Sequence, residues 1–274
     1  FSFFPDVRLM YKEGNKLDIT LQYNSGVTYP SLSQRMQTYR TDSLSMFVAN
    51  PELKPMDTHN LSARLRFLNC LTLTPSVQFS PHNHQNYYSL MDDGYVSRSF
   101  VNSDYRLYSV RLDFNKMFWK RLQFSANVTF GYDRFTYNEY NNSSRNLTGG
   151  CTLVYLLNQR TIFLLEYKSV NRKILSLQGY SWGGDNYIML AARKNFWHDK
   201  AQVMLGYMPP IRALEGKSTS GIQTPFYSLE RENNQNVLLR NMLMLRVNVR
   251  LSHGKRTKKK TYESTVDDEV IIEK

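Results

Sequence analysis

The sequence lacks most of the features by which proteins declare their chemistry. Its two cysteines, Cys70 and Cys151, stand far apart and have no partners at metal-ligand spacing, so neither a disulfide framework nor a zinc site is indicated. No apolar run approaches the roughly 18 residues that a membrane-spanning helix requires. The longest, residues 241–245 and 187–192, are short and interrupted. No glycine-rich phosphate cradle, nucleophile elbow or zinc-helix motif is present. His82-Asn83-His84 has no third ligand nearby and reads as a solvated loop. Carboxylates such as Asp113 and Asp133 are not spaced as a catalytic pair, and charge balance with Arg111 or Arg246 is the plainer reading. An enzyme is therefore the least expected class, and no cofactor or metal is expected. A signal segment and an initiating methionine are also missing. The opening Phe1-Ser2-Phe3-Phe4-Pro5 reads as the interior of a longer chain.

Aromatic residues are abundant instead. Of 274 residues 14% are aromatic, with Tyr 19 and Phe 15, and tyrosine favours boundaries with one wet end. The net charge of +12 is spread along the chain. No nucleic-acid motif gathers it, so no nucleic-acid partner is expected. The mean hydropathy of −0.50 is low for a membrane protein. It still permits a membrane barrel, in which only alternate strand residues meet lipid.

Alternation is the dominant pattern. In residues 241–252, Leu243, Leu245, Val247, Val249 and Leu251 fall on one side, and Met244, Arg246, Asn248, Arg250 and Ser252 on the other. Strand side chains point to opposite faces with period two, so one wall is apolar and the other charged. The same pattern recurs around Leu9, Leu21, Leu65, Leu73, Leu112 and Val128. Four less pure strands are predicted at residues 148–157, 161–169, 187–196 and 201–207. About eleven strands result, with ends uncertain by two to four residues.

The connections are sorted as well. Links near Gly14, Asn69, Trp119, Asn158 and His198 are short, whereas residues 25–59, 81–104, 134–146, 170–185 and 208–236 read as long polar loops. Short turns at one end and long loops at the other are the build of an outer-membrane barrel. The expected fold is an all-β, antiparallel transmembrane barrel over residues 1–254. A charged tail, residues 255–274, follows without a core-forming pattern.

Particular residues carry a family likeness. Tyr29-Pro30-Ser31-Leu32-Ser33-Gln34 is followed by Ala49-Asn50-Pro51-Glu52-Leu53-Lys54-Pro55. Arg193-Lys194-Asn195-Phe196-Trp197 precedes a short turn, and Leu251-Ser252-His253-Gly254-Lys255 ends the last strand. In order and spacing these resemble the barrels of Bacteroidetes-type TonB-dependent outer-membrane receptors. Ala49 stands where that family has glycine, Met56 where it has glutamate, and His253 where an aromatic is usual.

The resemblance implies the C-terminal half of a barrel of about 22 strands. It also implies a plug outside this chain, coupling to TonB through that plug, outer-membrane lipid around the wall, and in relatives often a surface lipoprotein. The implied function is energy-coupled uptake of a solute across the bacterial outer membrane. The alternative is a structural or assembly scaffold that transports nothing.

Candidate lumen-facing residues are Arg64, Arg66, Arg111, Asp113, Arg246 and Arg250. Candidate ligand contacts in the outer loops are Tyr87, Tyr88, Tyr180 and Trp182, beside Phe226 and Tyr227. The face assignment is testable by refolding into bilayers. Val247→Arg should cost roughly 2–4 kcal/mol if it meets the lipid midplane, and Asn248→Arg should be tolerated. Equal damage at both positions defeats the assignment.

Overall fold

In a computed structural model, the structure describes residues 4–14, 16–169, 171–184, 186–197, 200–211, 218–226, 228–233 and 241–250. Eleven strands form a continuous antiparallel path: β1 (Asp6–Glu13), β2 (Leu17–Thr28), β5 (Met56–Phe67), β6 (Leu71–Leu90), β7 (Val96–Phe118), β8 (Leu122–Tyr137), β9 (Tyr140–Asn158), β10 (Thr161–Ser169), β13 (Tyr187–Phe196), β14 (Ala201–Met208) and β17 (Met242–Val249). Two short strands in the connection after β2, β3 (Tyr39–Arg40) and β4 (Ser45–Phe47), bring this sheet to thirteen. A second, four-stranded sheet holds β11 (Asn171–Ser176), β12 (Gly179–Gly184), β15 (Ser218–Gln223) and β16 (Ser228–Asn233). The path is open, with one edge of β1 and one of β17 unpaired among the described residues. No described helix is long and apolar enough to cross a membrane.

Cross-strand register confirms the two walls. Leu9 stands opposite Leu21, which stands opposite Ala63. The row continues at the level of Pro75 through Val110, Phe130 and Leu147. A lower row joins Phe124, Leu153, Leu165, Leu190, Tyr207 and Leu243. Most of these side chains are exposed in the isolated chain, Leu9 at 63% and Leu243 at 68%. Such a wide apolar surface suits hydrocarbon rather than water.

Aromatic residues border the apolar band. At its upper margin Tyr23 is hydrogen-bonded to His59 Nδ1 at 2.8 Å, and His59 stacks on Phe79. Tyr108 and Tyr132 stack there too. At the lower margin Trp119 and Trp197 stand out from the turns, 83% and 70% exposed. Paired belts of this kind mark the two interfaces of a bilayer.

The turns near Gly14, Asn69, Trp119 and Asn158 lie at the lower margin, whereas β8 and β9 are joined at the upper end by the two-residue turn Asn138-Glu139, where a long loop is expected from the sequence. Leu68-Asn69 and Trp119-Lys120 take positive φ at both central positions, which matches the twist of the flanking strands. Ordinary side chains do so at a steric cost.

The upper end departs from the sequence reading. Residues 81–104 and 134–146 are expected as loops, yet most of them prolong the strands, so that β7 runs 23 residues and β6 20. About 9–11 residues suffice for a tilted crossing, so roughly half of each strand stands above the apolar band. Asn, Ser and Tyr alternate here without an apolar face, because both faces are wet or covered by polar chain. The stretch therefore looks like loop although its backbone is paired. The connections at residues 170–185 and 208–236 likewise contain β11, β12, β15 and β16. The predicted tail at residues 255–274 and the end-of-strand motif at residues 251–255 lie outside the described residues.

The loop motifs fasten the first long connection. Ser31 caps the one-turn helix α1 (Leu32–Met36) in a capping box with Gln34. Asn50 donates its backbone N–H to the Gln34 carbonyl and its side-chain amide to the Phe100 carbonyl. Arg35 donates twice to the Pro51 carbonyl, and Leu53 is buried at 2% exposure. The adjoining β4 pairs in parallel with residues 96–98 of β7, where β8 no longer reaches. These residues thus cover an otherwise bare strand edge.

If the apolar wall faces lipid, a step along one strand should show it. Val128→Arg on β8 should lower the yield of refolded barrel in lipid vesicles severalfold, and Thr129→Arg should not. Similar losses at both would contradict the walls drawn here.

Candidate functional site

The polar wall has two distinct parts. Below, at the level of the apolar band, residues from four strands, β5 to β8, surround a cleft of about 660 Å³. Arg64 and Arg66 come from β5, Thr72 and Thr74 from β6, and Arg111 and Asp113 from β7. Register explains the gathering, since Thr74 stands opposite Arg111 and Thr72 opposite Asp113. Arg111 grips the Asp113 carboxylate with Nε and Nη2 at 2.7–2.9 Å. This fork geometry neutralises one charge pair. Arg64 and Arg66 form no ion pair within 4.0 Å among the described residues, although Asp18 stands opposite Arg66 in register. The cleft therefore keeps a positive excess.

The other two expected arginines are elsewhere. Among the described residues Arg246, on β17, bonds Asn248 at 3.5 Å, and Arg250 follows the strand end. In the open path β17 is far from β5 and β7, so the six candidates split into a group of four and a separate pair. Asp133 finds no arginine either. It is buried at 5% exposure and accepts hydrogen bonds from Ser144 at 2.5 Å and Asn146 at 3.2 Å. Charge balance is thus right for Asp113 and wrong for Asp133. His82 and His84 lie in a bulged part of β6, and no metal-capable cluster occurs among the described residues. His84 Nε2 bonds the Lys54 carbonyl at 2.7 Å.

Above the band, the hairpin β11–β12 folds across this same wall. Asn146 receives the Lys173 N–H and donates to the Lys173 carbonyl, while Asn142 donates to the carbonyls of Ser176 and Gly179. The hairpin tip, Leu177 and Gln178, reaches the far strand. Gln178 accepts the Tyr88 N–H at 2.6 Å and donates to the Tyr88 carbonyl at 3.1 Å. Beneath it, Leu175 and Leu177 pack with Val101 and Phe135 into a small apolar core. Gly179 permits the close approach of β15, since a Cβ there would fall 2.3 Å from the Gly221 carbonyl oxygen.

The four aromatic candidates are dispersed by this arrangement. Tyr87 and Tyr180 are half-buried against the small core, and Tyr87 meets Tyr137 and Tyr140 edge-on. Burial, then the neighbouring Tyr140, raises the Tyr87 phenol above its ordinary pKa. Tyr180 donates to Glu230 at 3.1 Å, which raises its pKa, and Lys173 Nζ lies 4.8 Å from its ring centre. Tyr88 contributes its backbone to the Gln178 clamp. Trp182, 41% exposed, borders a different groove. Phe226 is described and Tyr227 lies outside the described residues. Sequence reasoning missed the clamp residues Asn142, Ser144, Asn146 and Gln178. The first three recur at every second position, which was the available signal.

The apolar wall and its two aromatic margins agree with the family comparison. The model of the outer membrane protein beta-barrel family matches residues 1–242. The chain belongs to the outer membrane protein beta-barrel family. No curated protein matches it. Family membership places it in the bacterial outer membrane, so the apolar wall of this barrel protein meets lipid and the arginine cleft lies on the opposite wall.

The clamp is open to a direct measurement. Gln178→Ala removes both hydrogen bonds to the Tyr88 backbone, a loss of about 1–3 kcal/mol. Hydrogen exchange should speed up in residues 171–184 and at Tyr88, with the membrane part of β6 unchanged. Unchanged exchange in the hairpin would show that Gln178 does not hold it.

Proposed function

We propose that this barrel protein is the wall of a TonB-dependent solute receptor, completed by further strands and by a plug that this chain does not contain. The observation that carries the reading is the cationic cleft on the wall opposite the lipid, beneath an inward-folded hairpin. A bare cationic cleft is suited to hold an acidic plug surface or an anionic solute, because arginines without acidic partners recruit negative charge. The likeness of the Tyr29–Gln34 and Ala49–Pro55 segments to TonB-dependent receptors supports the same reading. The wall supplies the passage and its mouth, and the plug supplies the coupling. Such a passage requires binding and release without bond making, and the protein is proposed to be a non-enzyme.

The second reading is a scaffold that assembles surface partners. The long strands standing above the membrane favour it, since they offer a large protein surface outside the lipid. Photocrosslinking in cells separates the two readings. The complete natural protein should crosslink to TonB, and an uncoupler that collapses the proton-motive force should change the pattern. Absence of any TonB crosslink favours the scaffold.

The cleft itself is tested in planar bilayers with the complete protein. Arg64→Glu combined with Arg66→Glu should shift ion selectivity toward cations or raise leak conductance by loosening the plug. An unaltered conductance and selectivity would remove the two arginines from the passage.

A further inference from the structure

Three arginines stand on the lipid-side wall, immediately above the upper aromatic margin. Arg106 is on β7, Arg134 on β8 and Arg145 on β9, and all three are exposed. Their face is fixed by register. Arg106 stands opposite Arg134, one alternation above the Tyr108–Tyr132 pair, and Arg145 stands opposite Tyr132. Tyr108 and Tyr132 lie in turn above Val110 and Phe130 of the apolar band.

Two like charges directly opposite on neighbouring strands repel each other. Nothing described relieves this pair. The three arginines make no ion pair among the described residues, and Arg134 Nε donates only to the neutral Asn141 side chain at 2.7 Å. Asp104, the nearest acid on the same face of β7, forms no ion pair with Arg106. The lower margin differs. Its outward cations are lysines, Lys116 over Phe118 and Lys194 over Phe196, which is ordinary snorkelling.

A groove of about 660 Å³ opens below the arginines on the same wall. It is lined by Arg145, Leu147, Gly149, Cys151, Tyr167 and Trp182 among others. Gly149 and Cys151 keep its floor low between the larger neighbours. An apolar trough that ends in a cluster of unneutralised arginines matches a lipid with an anionic head and an acyl tail.

We propose that β7 to β10, with Trp182 of β12 at the border, carry a seat for a phosphate-bearing, acylated glycolipid of the outer leaflet. The arginines hold the phosphate and the groove takes one acyl chain. The inference goes beyond solute uptake and holds equally for a transporter or a scaffold. It rests on the outer-membrane placement, with the lower-margin turns on the periplasmic side.

The test uses the complete protein, purified in detergent and returned to nanodiscs. One set contains phosphatidylcholine alone, a second adds purified lipid A, and a third adds phosphatidylglycerol at equal charge. Native mass spectrometry should find lipid A retained at one or two copies. The double variant Arg134→Gln, Arg145→Gln should lower that retention at least fivefold, and Arg145→Lys should lower it less. Lys194→Gln at the other margin should leave it unchanged.

Equal retention of phosphatidylglycerol, or an unchanged double variant, overturns the seat. Heat-dependent migration in electrophoresis reports the barrel separately. A protein that migrates as a folded barrel but retains no lipid A defeats this inference alone. Failure to migrate as a barrel in any lipid defeats the barrel reading itself.

Discussion

A backbone amide inside hydrocarbon has no water to turn to, and an unpaired one costs several kcal/mol. Every strand in the apolar band must therefore have neighbours on both sides. The continuous path from β1 to β17 is the answer to that demand. Once the ladder is fixed, the period of two assigns each side chain to lipid or interior, and the register then decides which interior residues meet. The grouping of Arg64, Arg66, Arg111 and Asp113 follows from pairing alone, because β5, β6 and β7 are successive in sequence and in space. Pro75 is the local exception. It has no N–H to give, and the pairing of β5 with β6 is interrupted at that level, between Ser62 and Leu65.

Above the membrane the rule relaxes, and the chain uses the freedom. Strands β6 to β9 continue upward, and the hairpin β11–β12 crosses their inner wall on a row of asparagines. Buried polar groups there are satisfied by one another, as Asp133, Ser144 and Asn146 show. The tyrosines marked out as ligand contacts serve mostly as the packing of this upper storey. The surface left for contact with other molecules is narrower than the aromatic content suggests, and it lies in the arginine cleft, the mouth and the lipid-side groove.

How much of this was readable beforehand depended on contrast between the two faces. Around Leu65, Leu112 and Val128 apolar and polar residues alternate cleanly, and the strands lie where expected. In the upper halves of β6 to β9 both faces are polar, so period two carries no hydrophobic signal and the strands looked like loops. Parity alone puts the arginines of β5 and β7 on one wall. Their proximity was not readable, because it depends on the register set by the turns at Leu68-Asn69 and Trp119-Lys120. The pairing of Arg106 with Arg134 was hidden for the same reason, since a shift of one residue would place them on opposite walls.

The two apolar rows are offset from one another. The row through Leu9, at the centre of β1, reaches β9 at Leu147. The row through Leu165, at the centre of β10, meets β9 at Leu153. The lipid band thus slides six residues along the strands in crossing from β1 to β10. At about 3.3 Å per residue and 4.8 Å per strand step, over seven steps, the strands lean roughly 30° from the membrane normal. That lean is a helical pitch written into the wall. Any strand that pairs with the free edge of β1 or β17 must carry its apolar segment about one residue further along, or the hydrophobic belt will not meet itself when the cylinder closes.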